Sequence, residues 1–519
     1  MKKIPYFVSM LLLIGIIVVA CKKDDDSTPP GANHTVTGFT PASGSVGTLV
    51  TVNGTNFTNQ NISVNFNGVD ATVSSVNISG KSLMVFVPED AETGKISVTI
   101  DDVEVKSAAN FTVTDEVSGP ESIELADNYL EMYTLDTAKF PEITNWDEFP
   151  DGSSIQIESN NPDIVDINED GDLVALQSGV ADITITIGEL TATVDVDVNP
   201  SIIVAGYDTD DQDNSFATLW INGIPTRLTD GNSAAAADAV VLEGQKIYAA
   251  GTDHNGTTYV AYTWEVDGTT KIATELTEGI YSARARGIAI KDDIVYAVGY
   301  ESNGDTTKAY QWENINSVEL SPTTSVAKAI TLNGDDVLVG GYYFKNGKDI
   351  AVVWENKLPT DLTLGEFDAS ANSVYAYNNY SFAAGYEKNE NNKRVAKVWV
   401  KDVSVHELTD GTNSAVAYSV TANGSQVCAV GNETINGVNV AKFWIIKDGI
   451  ITSKDITNGE MDAGADSIFE LNGVYYVAGY ENDGGKDIAV YWIVDQNGVV
   501  IDKEELSSYY SYTHSIIAR

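Results

Sequence analysis

A seven-fold repeat occupies the last three-fifths of the chain, from Ser201 to Arg519. Each copy has a small-residue segment that ends in glycine, and a tryptophan follows thirteen or fourteen residues later. The glycines are Gly206, Gly251, Gly299, Gly341, Gly385, Gly431 and Gly479, and the tryptophans are Trp220, Trp264, Trp312, Trp354, Trp399, Trp444 and Trp492. The mean period of about 45 residues is typical of one four-stranded propeller blade. The sequence therefore predicts an all-β chain in which residues 201–519 form a seven-bladed β-propeller.

The internal pattern of one copy predicts four strands. Residues 286–290, 294–299, 308–312 and 317–320 are apolar or alternating runs separated by Asp, Asn and Gly turns. The tryptophan falls on the third of these strands, where we expect it to pack against the neighbouring blade.

The two ends of the repeat region complement each other. Residues 202–207 correspond to a second strand without a first, and residues 513–518 correspond to a first strand without a second. We therefore expect the C-terminal strand to pair with residues 202–207 and to close the ring, which would remove the free sheet edges.

Charge constrains the partners of this chain. It contains 75 acidic and 30 basic residues, which gives a formal net charge of -45. Such a chain repels polyanions, so we expect no nucleic-acid partner and no docking on an anionic membrane surface. We expect a monomer. The 43% of apolar residues is enough for several separate cores.

The first twenty residues have the features of a secretory signal peptide: a basic start, an apolar run from residue 7 and a small residue before Cys21. This arrangement resembles the lipobox of bacterial lipoproteins, which implies lipidation of Cys21 and a membrane anchor. Residues 22–26 (KKDDD) resemble the signal that places Bacteroidetes lipoproteins on the outer face of the outer membrane. Residues 21–34 are predicted to be a tether. An ordinary signal peptide is the alternative, and a lipidated Cys21 leaves Cys428 without a disulfide partner.

Residues 35–114 alternate apolar and polar positions in short runs, as in a small β-sandwich. They resemble the IPT/TIG immunoglobulin-like domain, and the segments that carry the resemblance are 41–44 (PASG), 54–57 (GTNF), 64–68 (VNFNG) and 93–96 (TGKI). Gly54 and Gly68 are predicted to lie in turns with positive φ, and Phe57 and Phe66 in the core.

Residues 121–199 resemble a second bacterial immunoglobulin-like domain, of the Big2 type. The resemblance depends on residues 159–162 (SNNP), on 181–184 (ADIT) and on the alternation of Val194, Val196 and Val198. It fails in the first half, where residues 144–150 insert Trp146 among acidic residues. Domains of both kinds serve as spacers or as adhesive units in surface proteins, and both roles stay open here.

One position of the repeat has a constant surrounding but a variable, polar side chain. Aligning the predicted first strands places seven residues there, each followed by Ala, Gly or Ser: Asp238, Arg286, Lys328, Asn372, Tyr418, Asp466 and His514. In a propeller this position lies near the mouth of the central channel. The loops on the same face add aromatic residues, among them Tyr281, Phe367 and Tyr512.

Two interpretations of these residues compete. In the first, they are water-facing side chains, and Arg286 or Lys328 neutralises Asp238 and Asp466. In the second, they form a binding site in which mixed charges orient a polar ligand and aromatic rings stack on sugars. Asp238 and Asp466 are also the pair to consider for acid/base cleavage of a glycosidic bond.

Other chemistry has little support in the sequence. The loop with Asp208, Asp210, Asp211 and Asp213 has the density of oxygen ligands that calcium requires, but it lacks the glycine and glutamate of an EF-hand, so a solvated acidic tip is favoured. The four histidines are scattered, so no zinc site is expected. We expect no other cofactor.

The combined features favour a surface-anchored lipoprotein that binds an extracellular glycan or a protein partner through the propeller face. The immunoglobulin-like domains would act as spacers. A carbohydrate-active enzyme, hydrolase or lyase, that uses the same channel mouth is the alternative, and a purely structural adhesion protein is a third.

Overall fold

The computed structural model describes residues 34–114, 120–150 and 152–519, which are all-β apart from one 3₁₀ turn at Trp146–Glu148. The predicted signal peptide, Cys21 and all of the tether except His34 lie outside the described residues. No helix among the described residues is long and apolar enough to cross a membrane. The chain divides into two compact units, and the second contains Ser122–Trp146 together with Asp151–Arg519.

The first unit is a two-sheet sandwich. Its strands are β1 (Thr35–Thr40), β2 (Ser43–Gly44), β3 (Leu49–Thr55), β4 (Ile62–Phe66), β5 (Val69–Ala71), β6 (Val73–Val76), β7 (Ser82–Phe86), β8 (Gly94–Ile100) and β9 (Val103–Val113). One sheet has the order β1-β3-β7-β6 and the other β2-β9-β8-β4-β5. Alternate residues of both sheets form the core, in which Phe57 and Phe66 are buried, as predicted.

The two glycines of this unit differ from each other. Gly68 has a φ of +97° in the turn between β4 and β5, as predicted. The prediction for Gly54 was wrong, because Gly54 lies within β3, without positive φ, opposite a bulge in β1. A Cβ atom at Gly54 would lie 1.9 Å from the carbonyl oxygen of Thr35, so the close approach of the two backbones requires glycine there.

Residues 122–199 form two smaller sheets. Their strands are β10 (Tyr129–Tyr133), β11 (Thr137–Ala138), β12 (Ile155–Ser159), β13 (Val165–Ile167), β14 (Leu173–Ala175), β15 (Gly179–Ile187) and β16 (Leu190–Asn199). The sheet orders are β10-β16-β15-β12 and β11-β14-β13, with β10 parallel to β16. Val194, Val196 and Val198 point into the core between the two sheets, which explains their alternation.

Residues 201–519, called here the seven-sheet domain, contain seven four-stranded antiparallel sheets. The strands are, in chain order, β17 (Ile202–Thr209), β18 (Ser215–Ile221), β19 (Ile224–Arg227); β20 (Ala235–Glu243), β21 (Lys246–His254), β22 (Tyr259–Asp267), β23 (Thr270–Glu275); β24 (Ser282–Lys291), β25 (Ile294–Ser302), β26 (Thr307–Glu313), β27 (Asn316–Glu319); β28 (Ser325–Asn333), β29 (Asp336–Lys345), β30 (Lys348–Glu355), β31 (Leu358–Asp361); β32 (Ala369–Tyr377), β33 (Tyr380–Lys388), β34 (Arg394–Val400), β35 (Ser404–Glu407); β36 (Ala415–Ala422), β37 (Val427–Ile435), β38 (Val438–Lys447), β39 (Ile450–Asp455); β40 (Ala463–Leu471), β41 (Val474–Asn482), β42 (Asp487–Val494), β43 (Val500–Glu505); and β44 (Ser511–Ala518).

The C-terminal strand β44 completes the first sheet, whose order is β19-β18-β17-β44. We call the strands β20, β24, β28, β32, β36, β40 and β44 the lead strands, because each is followed in its sheet by the strand that carries the repeat glycine. Each lead strand contacts the lead strand of the next sheet, and β44 contacts both β40 and β20. The series of sheets thus returns from the seventh to the first.

The repeated tryptophans lie between neighbouring sheets. All seven are on the third strand counted from the lead strand, and none is more than 2% exposed. Trp312 belongs to one buried cluster with Ala250 and Ala261 of the preceding sheet. Trp220 of the first sheet shares a buried cluster with Tyr476 of the seventh. Large apolar side chains therefore fill the space between sheets at every repeat, as the sequence predicted.

Candidate functional site

Every lead strand contains a β-bulge at the variable position of the repeat. In β24, Ala285 pairs with Gly299 and Gly287 pairs with Val298, so that Arg286 is left without a partner on the adjacent strand. One residue is left unpaired in the same way in each of the other six lead strands. The seven bulged residues are Asp238, Arg286, Lys328, Asn372, Tyr418, Asp466 and His514. A bulge redirects one side chain while the ladder continues on both sides.

The bulge explains why the repeat glycine is constant. At Gly299 a Cβ atom would lie 1.9 Å from the carbonyl oxygen of Arg284, and at Gly341 it would lie 2.1 Å from that of Val326. The other five repeat glycines have the same carbonyl contact at 1.9 or 2.0 Å. Only glycine fits opposite the bulge, so the bulge that carries the variable residue also requires the constant glycine on the adjacent strand.

All seven bulged residues line a single cavity of about 270 Å³, together with Tyr512. We call this the central cavity. The structure therefore brings together every side chain that the aligned repeats placed at the variable position. Its lining contains two carboxyl groups, two cations, an amide, an imidazole and two phenols, a set that suits a polar ligand.

Asp238 is held by an arginine that the sequence analysis did not single out. Arg284, two residues before the bulge of β24, donates from Nε to Asp238 Oδ2 at 2.7 Å and from Nη2 to Oδ1. Burial is the largest single influence on Asp238 and opposes its ionisation, but the charge and hydrogen bonds of Arg284, together with weaker contributions from His514 and Arg286, outweigh it, so the pKa of Asp238 is lowered. The direct partner of Asp238 is therefore Arg284 and not Arg286 or Lys328, although the charge of Arg286 also lowers the pKa of Asp238.

His514 lies 4.0 Å from Asp238 (Nε2 to Oδ1) without forming a strong pair. Burial lowers the pKa of His514 to about 4, and this effect exceeds the opposing attraction of Asp238. The imidazole is therefore neutral near pH 7, and its Nε2 lies 3.4 Å from Arg284 Nη2.

Asp466 lies in an environment opposite to that of Asp238. Burial raises the pKa of its carboxyl to about 8. Oδ1 is 3.5 Å from the hydroxyl of Tyr512, and Oδ2 has no hydrogen-bond partner among the described residues. Asp466 therefore retains its proton at neutral pH and presents an unsatisfied polar group to the cavity.

The protonation of Asp466 leads to a pH-dependent stability. Because its pKa is about 8 in the folded chain and 3.8 in the unfolded chain, the folded chain binds more protons between these values, and stability falls as pH rises through this window. Asp466→Asn cannot ionise. We expect it to be more stable than wild type by at least about 1.4 kcal/mol near pH 8, and equal to it near pH 4. Urea unfolding of both proteins at the two pH values measures this, and a difference that is constant with pH would contradict it.

Tyrosines surround the central cavity at a second constant position. The residue after the repeat glycine is tyrosine in five of the seven sheets: Tyr207, Tyr300, Tyr342, Tyr386 and Tyr480. Tyr512 stacks between two of them, with ring centroids 6.2 Å from Tyr207 and 4.6 Å from Tyr480. Burial raises the pKa of Tyr207 and Tyr480, so both phenols stay neutral donors.

Two further cavities adjoin the central one. The Tyr207 cavity, of about 650 Å³, shares Tyr512 and His514 with it and also contains Tyr259, Tyr300, Tyr510 and Arg284. The Tyr342 cavity, of about 590 Å³, shares Arg286 and Lys328 with it and also contains Tyr300, Tyr386 and Asp349. We call the three together the tyrosine face. It combines aromatic rings at the rim with charged groups at the centre.

Comparison with known proteins identifies one part of the chain. Residues 35–114 match the IPT/TIG domain. No curated protein matches the sequence. Among solved structures, the chain is similar to a protein of unknown function from Bacteroides thetaiotaomicron (12% identity, 90% of this chain and 99% of the other covered, TM-score 0.28).

Two other structures show similarities of the same order. One is an auxiliary nutrient binding protein from Bacteroides ovatus (11% identity, 95% of this chain and 99% of the other, TM-score 0.28). The other is TolB from Acinetobacter baumannii (12% identity, 60% of this chain and 82% of the other, TM-score 0.34). The IPT/TIG domain is thus the part whose family is shown.

Two of the predicted ligand-binding residues, Tyr281 and Phe367, do not belong to the tyrosine face. Tyr281 is 46% exposed and lines none of the three cavities. Phe367 lines a different cavity of about 800 Å³, together with Trp399. Neither ring therefore lines the central cavity with the bulged residues.

The acidic side chains at the end of β17 and in the loop that follows it do not form a cluster. Asp208 accepts a hydrogen bond from Ser507 Oγ at 2.6 Å, and Asp210 accepts from the backbone of Gln212 and Asn214 within its own turn. In the part of the chain that the structure describes, no group of three or more His, Cys, Asp or Glu residues is arranged to hold a metal. The calcium alternative for Asp208, Asp210, Asp211 and Asp213 thus gains no support.

The sequence analysis missed the tyrosines that follow the repeat glycine, and it missed Arg284. The tyrosines were visible as a near-constant residue at a fixed position of each repeat. Arg284 gave no such signal, because its partner lies in the preceding sheet and only the packing of β20 beside β24 brings them together.

Proposed function

We propose that the seven-sheet domain is a seven-bladed β-propeller and that its tyrosine face binds an extracellular glycan. Support for the propeller comes from seven four-stranded sheets whose lead strands contact one another in order and return to the first. The bulged residues then line the mouth of the central channel. All-β proteins of this kind build binding sites at that place.

The observation that carries the glycan proposal is the tyrosine face itself. Its rings are distributed around a polar centre, and each phenol offers both an apolar surface and a hydroxyl. Sugar rings have apolar faces and hydroxyl edges, so they can stack on tyrosines while polar groups fix their orientation. In the centre, Arg286 Nε and Asp466 Oδ2 are buried polar atoms without partners within the described residues.

The same proposal covers the rest of the chain. We propose a lipoprotein anchored through Cys21 at the outer face of the outer membrane, with the IPT/TIG domain and the Big2-like residues 121–199 as spacers. Thr134 of the second spacer donates to the carbonyl of Arg519 at 2.8 Å, and the backbone of Ser201 donates to Thr134 Oγ1 at 2.9 Å. These bonds tie the spacer to both ends of the propeller, which suits a role in presenting the binding face.

A matched pair of variants tests the proposal. Tyr300→Ala with Tyr342→Ala removes two rings of the tyrosine face, whereas Tyr281→Ala with Tyr380→Ala removes two exposed rings that line none of its cavities. On a glycan array followed by titration calorimetry, we expect the wild type to retain specific oligosaccharides. The first variant should bind about 5- to 150-fold more weakly, because each of the two stacked rings contributes roughly 0.5–1.5 kcal/mol.

The control variant should bind like wild type. Equal weakening in both variants, or no glycan retained by the wild type, would contradict glycan binding through this face. Thermal unfolding of all three proteins checks that the substitutions leave the domain folded.

A carbohydrate-active enzyme is the second candidate, because of the two carboxyl groups. The pKa of Asp238 is lowered and that of Asp466 is raised to about 8, which is the separation expected of a base and an acid in one site. An enzyme would release reducing ends or unsaturated sugars from a polysaccharide, and Asp466→Asn would stop the release while binding remained. A binding protein would release neither.

A further inference from the structure

The tyrosine face has a cationic side formed by the third and fourth sheets. Arg286 and Lys328 occupy the bulge positions of neighbouring lead strands, and both line the central cavity and the Tyr342 cavity. Lys328 Nζ donates to Asn372 Oδ1 at 2.8 Å and lies 5.5 Å from the ring centroid of Tyr342. Arg286 Nε is buried and has no hydrogen-bond partner among the described residues.

Neither cation is neutralised by a carboxylate. Within residues 34–114, 120–150 and 152–519, no ion pair within 4.0 Å involves Arg286 or Lys328, although acidic residues outnumber basic ones by 75 to 30. By contrast, Arg284 binds Asp238 and Lys388 binds Asp368. Arg286 and Lys328 therefore lack the direct counter-charge that these two cations have.

Keeping these cations together has an energetic cost. Burial and the positive charges of Arg286 and Arg394 lower the pKa of Lys328 to about 7, and the negative charge of Asp349 compensates only in part. An anion between Arg286 and Lys328 would relieve the repulsion. The net charge of -45 does not prevent this, because at physiological ionic strength charges are screened beyond about 8 Å.

We infer that the glycan bound by the tyrosine face is acidic, and that Arg286 and Lys328 bind its carboxylate or sulfate group. The sugar ring that bears the anion lies against Tyr300 and Tyr342, which line the same cavity as the two cations. This inference rests on the proposed glycan binding and adds the chemical class of the ligand. An arginine beside a lysine suits an oxyanion, since the guanidinium donates two parallel bonds and the ammonium adds a point charge.

The test compares acidic oligosaccharides with neutral ones of the same backbone. The probes are oligogalacturonate, its methyl ester and chondroitin sulfate oligosaccharides, together with an array of neutral and acidic glycans, applied to the full mature chain. We expect acidic probes to bind at least about tenfold more tightly than the neutral methyl ester. Preference for oligogalacturonate assigns a carboxylate to the site, and preference for the sulfated probe assigns a sulfate.

Variants identify the residues. Arg286→Gln and Lys328→Met should each lower the affinity for the acidic probe at least about tenfold and leave neutral sugars unaffected, while Lys328→Arg keeps most of the affinity. Lys308→Met and Lys345→Met, which remove surface lysines outside the three cavities, are the controls. Neutral glycans bound as tightly as acidic ones, by wild type and Arg286→Gln alike, would overturn the inference and leave the proposed function intact. No glycan bound at all would overturn both.

Discussion

Deleting residues 511–519 is expected to unfold the whole seven-sheet domain and not merely to fray one end. These residues form β44, which pairs with β17 from Ile202 to Asp208 and completes the first sheet. Without β44, the backbone groups of β17 lose their partners along one edge. The seventh sheet also loses a neighbour, because β44 contacts β40, β41 and β42.

The deletion also opens an apolar cluster. Ile516 and Ala518 are 2% and 4% exposed and pack with Trp220 and Tyr476, which come from the first and seventh sheets. Burial of an isoleucine alone contributes about 1.5–3 kcal/mol, and each backbone hydrogen bond adds roughly 0.5–1.5 kcal/mol. The sum exceeds about 5 kcal/mol, which is the lower end of total stability for a folded domain.

Urea unfolding followed by tryptophan fluorescence measures this effect, because every repeat tryptophan lies between sheets. We expect the truncated chain, ending at Tyr510, to lose the cooperative transition of the seven-sheet domain. A synthetic peptide with the sequence of residues 511–519 should restore part of the transition, since it can pair with β17. A truncated chain that unfolds with the same midpoint and slope as the full chain would show that β44 is dispensable and would contradict closure of the sheet series.

The sequence predicted this closure because strand order follows from the repeat. The first repeat lacks a first strand before residue 202, and residues 513–518 form a first strand without a repeat of their own. Pairing these two segments completes the first sheet, and β17 does pair with β44. The variable position was also predictable, since residues at one place in each repeat occupy one place in each sheet. Local pattern thus determined the strands, the buried tryptophans and the seven residues of the central cavity.

Polar contacts between sheets could not be predicted in the same way. The partner of Asp238 is Arg284, which lies on the next lead strand two residues before the bulge, and no local signal distinguishes it from Arg286. Gly54 was misjudged for a related reason. A glycine can be required by a turn or by a nearby carbonyl oxygen, and only the pairing of β1 with β3 separates the two.

Arg284→Met is expected to cost about 3–5 kcal/mol of stability near neutral pH, because it removes one member of a buried ion pair. The side chains of Asp238 and Arg284 are only 7% and 25% exposed. Without the guanidinium, the carboxylate of Asp238 keeps the burial that disfavours its charge and loses the main opposing effect. Its pKa should then rise above that of the unfolded chain.

The sign of the pH effect follows from that rise. In the variant, folded Asp238 would bind a proton more readily than unfolded Asp238, so the stability of the variant should increase relative to wild type as pH falls from about 8 to about 5. Asp238→Asn combined with Arg284→Met removes the unpaired charge, so the double variant should recover most of the loss. Urea unfolding of wild type, both single variants and the double variant forms a complete cycle. Additive losses in the double variant, without dependence on pH, would show that the two side chains stabilise the fold independently and would contradict the ion pair.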